Sequence, residues 1–212
     1  METKLLDLIN KTDFQKVLNN KNYTFFENGN YNLNIIGVRN LFDASEKNNI
    51  ISINQTDKFN DALVLLYKDN GEWKKDIYEI TTDPGLKLLR NPSNSKGTAI
   101  LVPGQYRNTY KIDLHKGQYK ALCQRGGLVK VYRDKNKDNK LDFDPKTIDT
   151  GYFGINIHKA GLSSELIGGY SAGCQVFHYV KDFNKFMENI EKSNNIYGNS
   201  FTYTLLTTND LL

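Results

Sequence analysis

"LVLLYKDNGEWKKDIYEIT", residues 63–81, decides the fold class. Two runs rich in Leu, Val, Ile, Tyr and Trp flank Lys68-Asp69-Asn70-Gly71. Asn-Gly supplies the pair of positive-φ residues that a tight two-residue hairpin needs. The segment therefore reads as two antiparallel strands. Outward from it the same grammar repeats. "GTAILVPGQY" (97–106) is a strand stopped by Pro103-Gly104, and Tyr110, Ile112 and Leu114 alternate, as do Val129 and Val131. Residues 152–158 read as a further strand with Phe153, Ile155 and Ile157 on one face, and "SFTYTLLT" (200–207) as the last. Helical spacing occurs twice. Residues 2–20 carry Leu5, Leu6 and Ile9, then a capping box at Thr12-Asp13-Phe14-Gln15. Phe183, Phe186, Met187 and Ile190 recur at i, i+3, i+4, i+7 ahead of Gly198. The expected architecture is mostly β (α+β): a sandwich or barrel with an N-terminal helix and one C-terminal helix. An N-terminal helical segment, 1–28, joins a single globular domain, 29–212.

Composition narrows the function classes. The 212 residues are 39% hydrophobic and 25% charged, with a formal net charge of +4. Basic residues alternate with acids, so no nucleic-acid stripe is expected. No run approaches the ~18 apolar residues of a membrane span, which argues against membrane insertion. "METKLLDLINKTDFQ" lacks an apolar h-region, so no signal peptide is expected. Two cysteines make no disulfide framework. No P-loop or dinucleotide fingerprint is present, and no cofactor is required.

The chemistry-bearing stretch is "GYFGINIHKAGLSSELIGGYSAGCQVF", residues 151–177. Strand alternation sets Asn156 and His158 on the face opposite Phe153, Ile155 and Ile157. Gly168-Gly169-Tyr170-Ser171-Ala172-Gly173-Cys174 reads as a turn whose glycines permit positive φ. A cysteine after such a turn can have free N–H groups beside it, suited to an oxyanion, and a nearby imidazole would lower its pKa and take its proton. The competing reading is a small core cysteine and a satisfied polar histidine.

"IH" at 157–158, followed at this distance by Ser-x-Gly-Cys at 171–174, resembles the signature of L,D-transpeptidase (YkuD-type) catalytic domains. The line also resembles uncharacterised phage and Bacteroidetes proteins assigned to that fold. The resemblance implies a β-rich fold in which Cys174 is the nucleophile and His158 its base, with Ser171 and Gly173 shaping the oxyanion turn. It implies acyl transfer or hydrolysis on peptidoglycan stem peptides beside a meso-diaminopimelate centre. The family usually continues with an aliphatic residue and then Arg or Asn, where this chain has Gln175 and Val176. Carboxylate recognition then falls to another arginine: Arg107, Arg125 or Arg39. Tyr170, Gln175, Tyr106 and Arg107 are the expected substrate-binding residues. Asn156 or a backbone carbonyl is expected to hold the second nitrogen of His158. A wall enzyme without a leader would be made in the cytoplasm and reach the wall by a non-Sec route, as in phage lysis or a virion. Two alternatives stand beside this reading: a catalytically degenerate domain of the same fold serving as a binding or virion structural protein, and a cysteine amidohydrolase with a non-wall substrate.

"RDKNKDNKLDFD" (133–144) places Asp134, Asn136, Asp138 and Asp142 at the alternate spacing of a calcium loop. Asn139 replaces the turn Gly and Pro145 stands where the bidentate Glu belongs. A possible structural Ca²⁺ and a solvated acidic turn are the two readings. Cys123 reads as a strand or core residue, His115 as surface, His178 as facing away from the groove and Trp73 as a packing aromatic.

Overall fold

The computed structural model describes residues 1, 3–41, 55–161 and 165–212. Eight strands close a mixed barrel: β1 Asn34–Arg39, β2 Asp61–Asp69, β3 Glu72–Thr81, β5 Gly104–His115, β6 Tyr119–Gln124, β9 Ile157–Lys159, β10 Gln175–Phe177 and β11 Phe201–Thr207. Their order is β1-β11-β5-β6-β9-β10-β3-β2. β4 Thr98–Leu101, β7 Val129–Asp134 and β8 Asp149–Gly151 form a second, three-stranded sheet. Four α-helices, α1 Thr3–Lys11, α2 Phe14–Asn20, α3 Leu86–Arg90 and α4 Val180–Tyr197, and two 3₁₀ turns, Pro145–Thr147 and Thr208–Leu211, complete the described elements. None is long and apolar enough to cross a membrane.

The hairpin forms as expected. Asn70 and Gly71 take φ of 51° and 82°, and β2 pairs with β3 from Asp69↔Glu72 to Asp61↔Ile80. The unbroken apolar run at 62–66 follows from burial on both faces. Leu63 and Leu65 join Ile35 in the barrel core, while Ala62 and Val64 join Ile36 and Val38 beneath α1 and α2. The helical spacing near the N-terminus resolves into two helices. The break falls at Asp13, whose side chain caps α2 by accepting from the Lys16 N–H at 3.0 Å. α4 lays Phe183 and Phe186 against Phe177, at centroid distances of 5.6 and 4.9 Å, with Met187 and Ile190 also buried. Ala99, Leu101, Val129 and Val131 carry the small sheet onto the same core.

One expected element breaks. Residues 152–158 are not one strand: β8 ends at Gly151 and β9 begins at Ile157. Between them Gly154 takes φ of 70°, and Oε1 of Gln124 accepts the N–H groups of Phe153 (3.0 Å) and Ile155 (3.2 Å). A buried side-chain amide replaces the strand partner there. The alternating residues follow the strand period but sit on a looped backbone.

Candidate active site around Cys174 and His158

β9 and β10 run parallel, with Gln175 opposite Ile157 and Val176 opposite His158. The Gln175 N–H donates to the Asn156 carbonyl at 2.9 Å, so Cys174 enters the sheet beside Asn156. Residues 167–174 deliver it there through a tightly held turn. Ser171, fully buried, donates from Oγ to the Cys174 carbonyl (2.9 Å) and accepts the Gly173 N–H (3.1 Å). Gly173 has φ of 110°, and a Cβ there would lie 2.3 Å from the Ala99 carbonyl oxygen. Only glycine fits that position, because both the backbone angle and the contact with β4 exclude a side chain. Oγ of Ser171 occupies the Gly173 N–H, so this amide is not a free oxyanion donor. The Cys174 N–H has no acceptor among the described residues.

Cys174 is half-buried against the small cluster of Phe59, Ala160, Ile167 and Val176. Its Sγ accepts the Asn156 N–H and donates to the Gly154 carbonyl, both at 3.4 Å. Burial pushes the thiol up to about 11, partly countered by the Asn156 N–H. The resting sulfur is therefore a neutral thiol, not the activated thiolate expected from the sequence.

His158 is 3% exposed. Its Nδ1 lies 2.9 Å from the Lys159 carbonyl oxygen, which can only accept, so Nδ1 carries the ring proton and Nε2 bears the lone pair. Nε2 is buried without a hydrogen-bond partner among the described residues. Burial, and then the neighbouring His115, drive the imidazole pKa down to about 3. No hydrogen bond joins Nε2 to the thiol. His158 lies on β9 and Cys174 immediately precedes β10, the parallel neighbour of β9, and both are neutral groups.

His115 is the residue that sequence reasoning set aside. It is buried at the last position of β5, and its ring stacks on His158 with centroids 4.1 Å apart and planes inclined by 22°. Asn156 orients it. Oδ1 of Asn156 accepts the Gln124 N–H at 2.9 Å, so Nδ2 must be what faces His115 Nδ1 at 3.1 Å. The His115 proton then sits on its Nε2. Asn156 thus holds His115, while a backbone carbonyl holds His158. Burial lowers the His115 pKa, and Lys116 and Arg125 lower it further. The available signal was Lys116-Gly117, both at positive φ, a hairpin turn that makes His115 a strand residue on the face of Ala121 and Cys123.

The expected substrate-binding residues scatter. Gln175 is fully buried, donating from Nε2 to the Gly173 carbonyl (3.3 Å) and accepting from the Tyr203 hydroxyl (2.7 Å). It braces the turn from within and is not offered to a ligand. Tyr106 is buried too, its hydroxyl donating to the Val102 carbonyl at 2.5 Å, so the groove assignment fails because that phenol closes β5 onto the small sheet. Arg107 is an exposed residue of β5. Arg125 pairs with Asp113 at 2.7 Å, and Arg39 is buried with Asp83 at 2.9 Å. Tyr170 is exposed on the turn beside Gly161. Arg133 shares a cleft of about 250 Å³ with Ala172 of the turn and with Phe153, Thr98 and Asn94.

In the acidic loop, Nδ2 of Asn136 donates to Asp142 Oδ2 (2.7 Å) and to Asp138 Oδ2 (3.2 Å), while Asp134 is buried and accepts the Asp142 N–H at 3.1 Å. Burial raises the Asp134 pKa. The loop side chains and amides thus satisfy one another. Among the described residues no group of three or more His, Cys, Asp or Glu is arranged to hold a metal. His178 donates from Nδ1 to the Glu79 carboxylate (2.8 Å) and stacks on Phe59, away from His158. Compared with known proteins, this chain is matched by no family model, no curated protein and no solved structure.

Proposed function

We propose that this protein is a cysteine acyltransferase or peptidase of L,D-transpeptidase-like fold, acting on peptidoglycan stem peptides at Cys174. The observation that carries the reading is the unpartnered lone pair on Nε2 of His158, buried on β9, whose parallel partner β10 begins one residue after Cys174. A buried imidazole nitrogen left without a donor carries a desolvation cost that a structural role does not explain. In the proposed reaction the thiol turns from the Gly154 carbonyl to Nε2. Sγ attacks the peptide carbonyl carbon as Nε2 takes its proton, and the Cys174 N–H receives the carbonyl oxygen as it becomes negative. The imidazolium then protonates the leaving amine as the C–N bond breaks. The thioester passes to an incoming amine or to water. The Lys159 carbonyl holds His158 in its working tautomer, and His115, oriented by Asn156, stacks on the ring.

Wild type and Cys174→Ala incubated with purified sacculi, with muropeptides read by mass spectrometry, test the proposal. New links between two diaminopimelate residues mark transpeptidation, and lost cross-links or terminal residues mark hydrolysis. The variant is expected to lose at least about 10³-fold in rate. Identical muropeptides from both proteins would reject the reading. That result would favour a catalytically silent domain of the same fold, a binding or virion structural protein, for which the raised thiol pKa and the inward Gln175 speak.

Calcium in the 133–144 loop is the minor part of the proposal, resting on spacing alone. Bound Ca²⁺ at saturating concentration adds about 2.7 kcal/mol at 100 times its Kd. Thermal unfolding with calcium is then expected to lie several degrees above unfolding with chelator. Superimposable melting curves would remove calcium from the account.

A further inference from the structure

The small sheet carries a second concave site, apart from Cys174. A cleft of about 330 Å³ is lined by Lys96, Arg133, Lys135, Lys146, Thr147 and Asp149, with Ile148 at its edge. Four cations face one carboxylate, so the local balance is +4 − 1 = +3. That is most of the chain's formal charge of +4 gathered into one depression. Asp149 is already shared, lying 3.2 Å from Lys96 and 3.3 Å from Arg133. Lys135 and Lys146 have no carboxylate within ion-pair reach among the described residues.

The cleft is a built one. Arg133 is only 8% exposed: its guanidinium stacks on Phe153 at 4.4 Å and donates from Nη1 to the Gly97 carbonyl at 3.3 Å. Oγ1 of Thr147 accepts the Arg133 N–H (3.1 Å) and donates to the Asp144 carbonyl (2.8 Å), which locks the 3₁₀ turn Pro145–Thr147 to β7. An immobilised guanidinium with unused N–H groups, ringed by flexible ammonium groups, matches a tetrahedral oxyanion. A monocarboxylate would neutralise one charge of the three, whereas a phosphate monoester carries about −1.5 to −2 at pH 7. The volume falls in the ~300–1,000 Å³ range of small-molecule sites, larger than a bare ion needs.

We propose that this cleft binds a phosphate-bearing ligand, with the phosphate held between Arg133 and the three lysines and its organic substituent extending along Ile148. The proposal is independent of catalysis at Cys174.

Amide chemical-shift titration of the full chain tests it, using inorganic phosphate at constant ionic strength with acetate as the control. Saturable shifts are expected around residues 96–98, 133–135 and 146–149, with acetate at least about tenfold weaker. In the Lys135→Gln, Lys146→Gln double variant, both positions exposed, phosphate is expected to bind about tenfold or more weakly. Arms with glycerol 1-phosphate and a glycerol phosphate polymer distinguish the sources of the group: tighter binding of either per phosphate supports the site and names it as monoester or diester. Shifts that never saturate, that acetate reproduces at equal concentration, or that the double variant leaves unchanged would overturn it.

Discussion

Iodoacetamide will modify Cys174 about ten times faster for each unit of pH between 7 and 10, with no plateau near neutrality. The thiol is pushed up to about 11, so the reactive thiolate grows in proportion to hydroxide across that range. At pH 6 only about one molecule in 10⁵ would carry thiolate. This departs from the expectation drawn from the sequence, in which a nearby imidazole lowers the thiol pKa and takes its proton. With His158 driven down to about 3, there is no imidazolium at neutral pH to stabilise a sulfur anion. His158→Ala should therefore leave the slope of the profile unchanged while abolishing turnover. Cys123, fully buried, is expected to react more slowly at each pH. Peptide mass spectrometry after timed quenching reads both sites. A rate that levels off below pH 7 in wild type, and not in His158→Ala, would show a preformed ion pair and replace the neutral pair described above. A neutral pair is no obstacle to acyl transfer, because Nε2 can accept the proton during attack on a bound carbonyl.

Arg39→Met will destabilise the fold by about 3–5 kcal/mol, the cost of removing one partner from a buried ion pair. Arg39 is fully buried at the end of β1. It donates to the Thr82 hydroxyl and carbonyl and to the Leu101 carbonyl, each at 2.9 Å, and its Nε lies 2.9 Å from Asp83. Asp61 is packed into the same site, accepting the N–H groups of Asn40 (2.8 Å) and Thr82 (2.7 Å). Its pKa is raised, first by burial and then by the charge of Asp83, and Arg39 works in the opposite direction. A carboxyl that holds its proton more tightly when folded loses stability as pH rises from its unfolded pKa through its folded one. Taking Arg39 away enlarges that shift, so the deficit should be greater at pH 8 than at pH 5. For a chain of this size the melting temperature should fall by roughly 10 °C, at about 2–4 °C per kcal/mol. A loss below about 1 kcal/mol, or one that shrinks with rising pH, would mean that the carboxylates do not depend on the guanidinium.

These features differ in how plainly they were written in the chain. Asn70-Gly71 announced its hairpin because backbone angles select the residues locally, and the α4 stripe announced itself because one face meets the core. Cys174 and His158 were singled out by their resemblance to a family signature. Their protonation states were not, since burial and stacking belong to neighbours distant in sequence, above all His115, 43 positions before its stacking partner (158 − 115). Gln175 misled for the same reason. Beside a nucleophile it reads as a ligand-binding amide, yet strand parity turns it inward to Tyr203. Residues 152–158 alternated like a strand, but the acceptor that breaks them is the side chain of Gln124, invisible to periodicity. Arg133 was hidden inside a motif read for its acids.

The pairing of β1 with β11 reaches beyond architecture. Ile35 lies beside Tyr203 and Val38 beside Leu206, so an early strand is held laterally by one synthesised more than 160 residues later. On the ribosome β1 must wait, with one hydrogen-bonding edge bare, until β11 has emerged. Closure of so distant a seam is slow, and an uncovered edge invites other chains. Nascent molecules of this protein should lean on holdase chaperones until release, and fragments truncated before residue 201 should accumulate as aggregates.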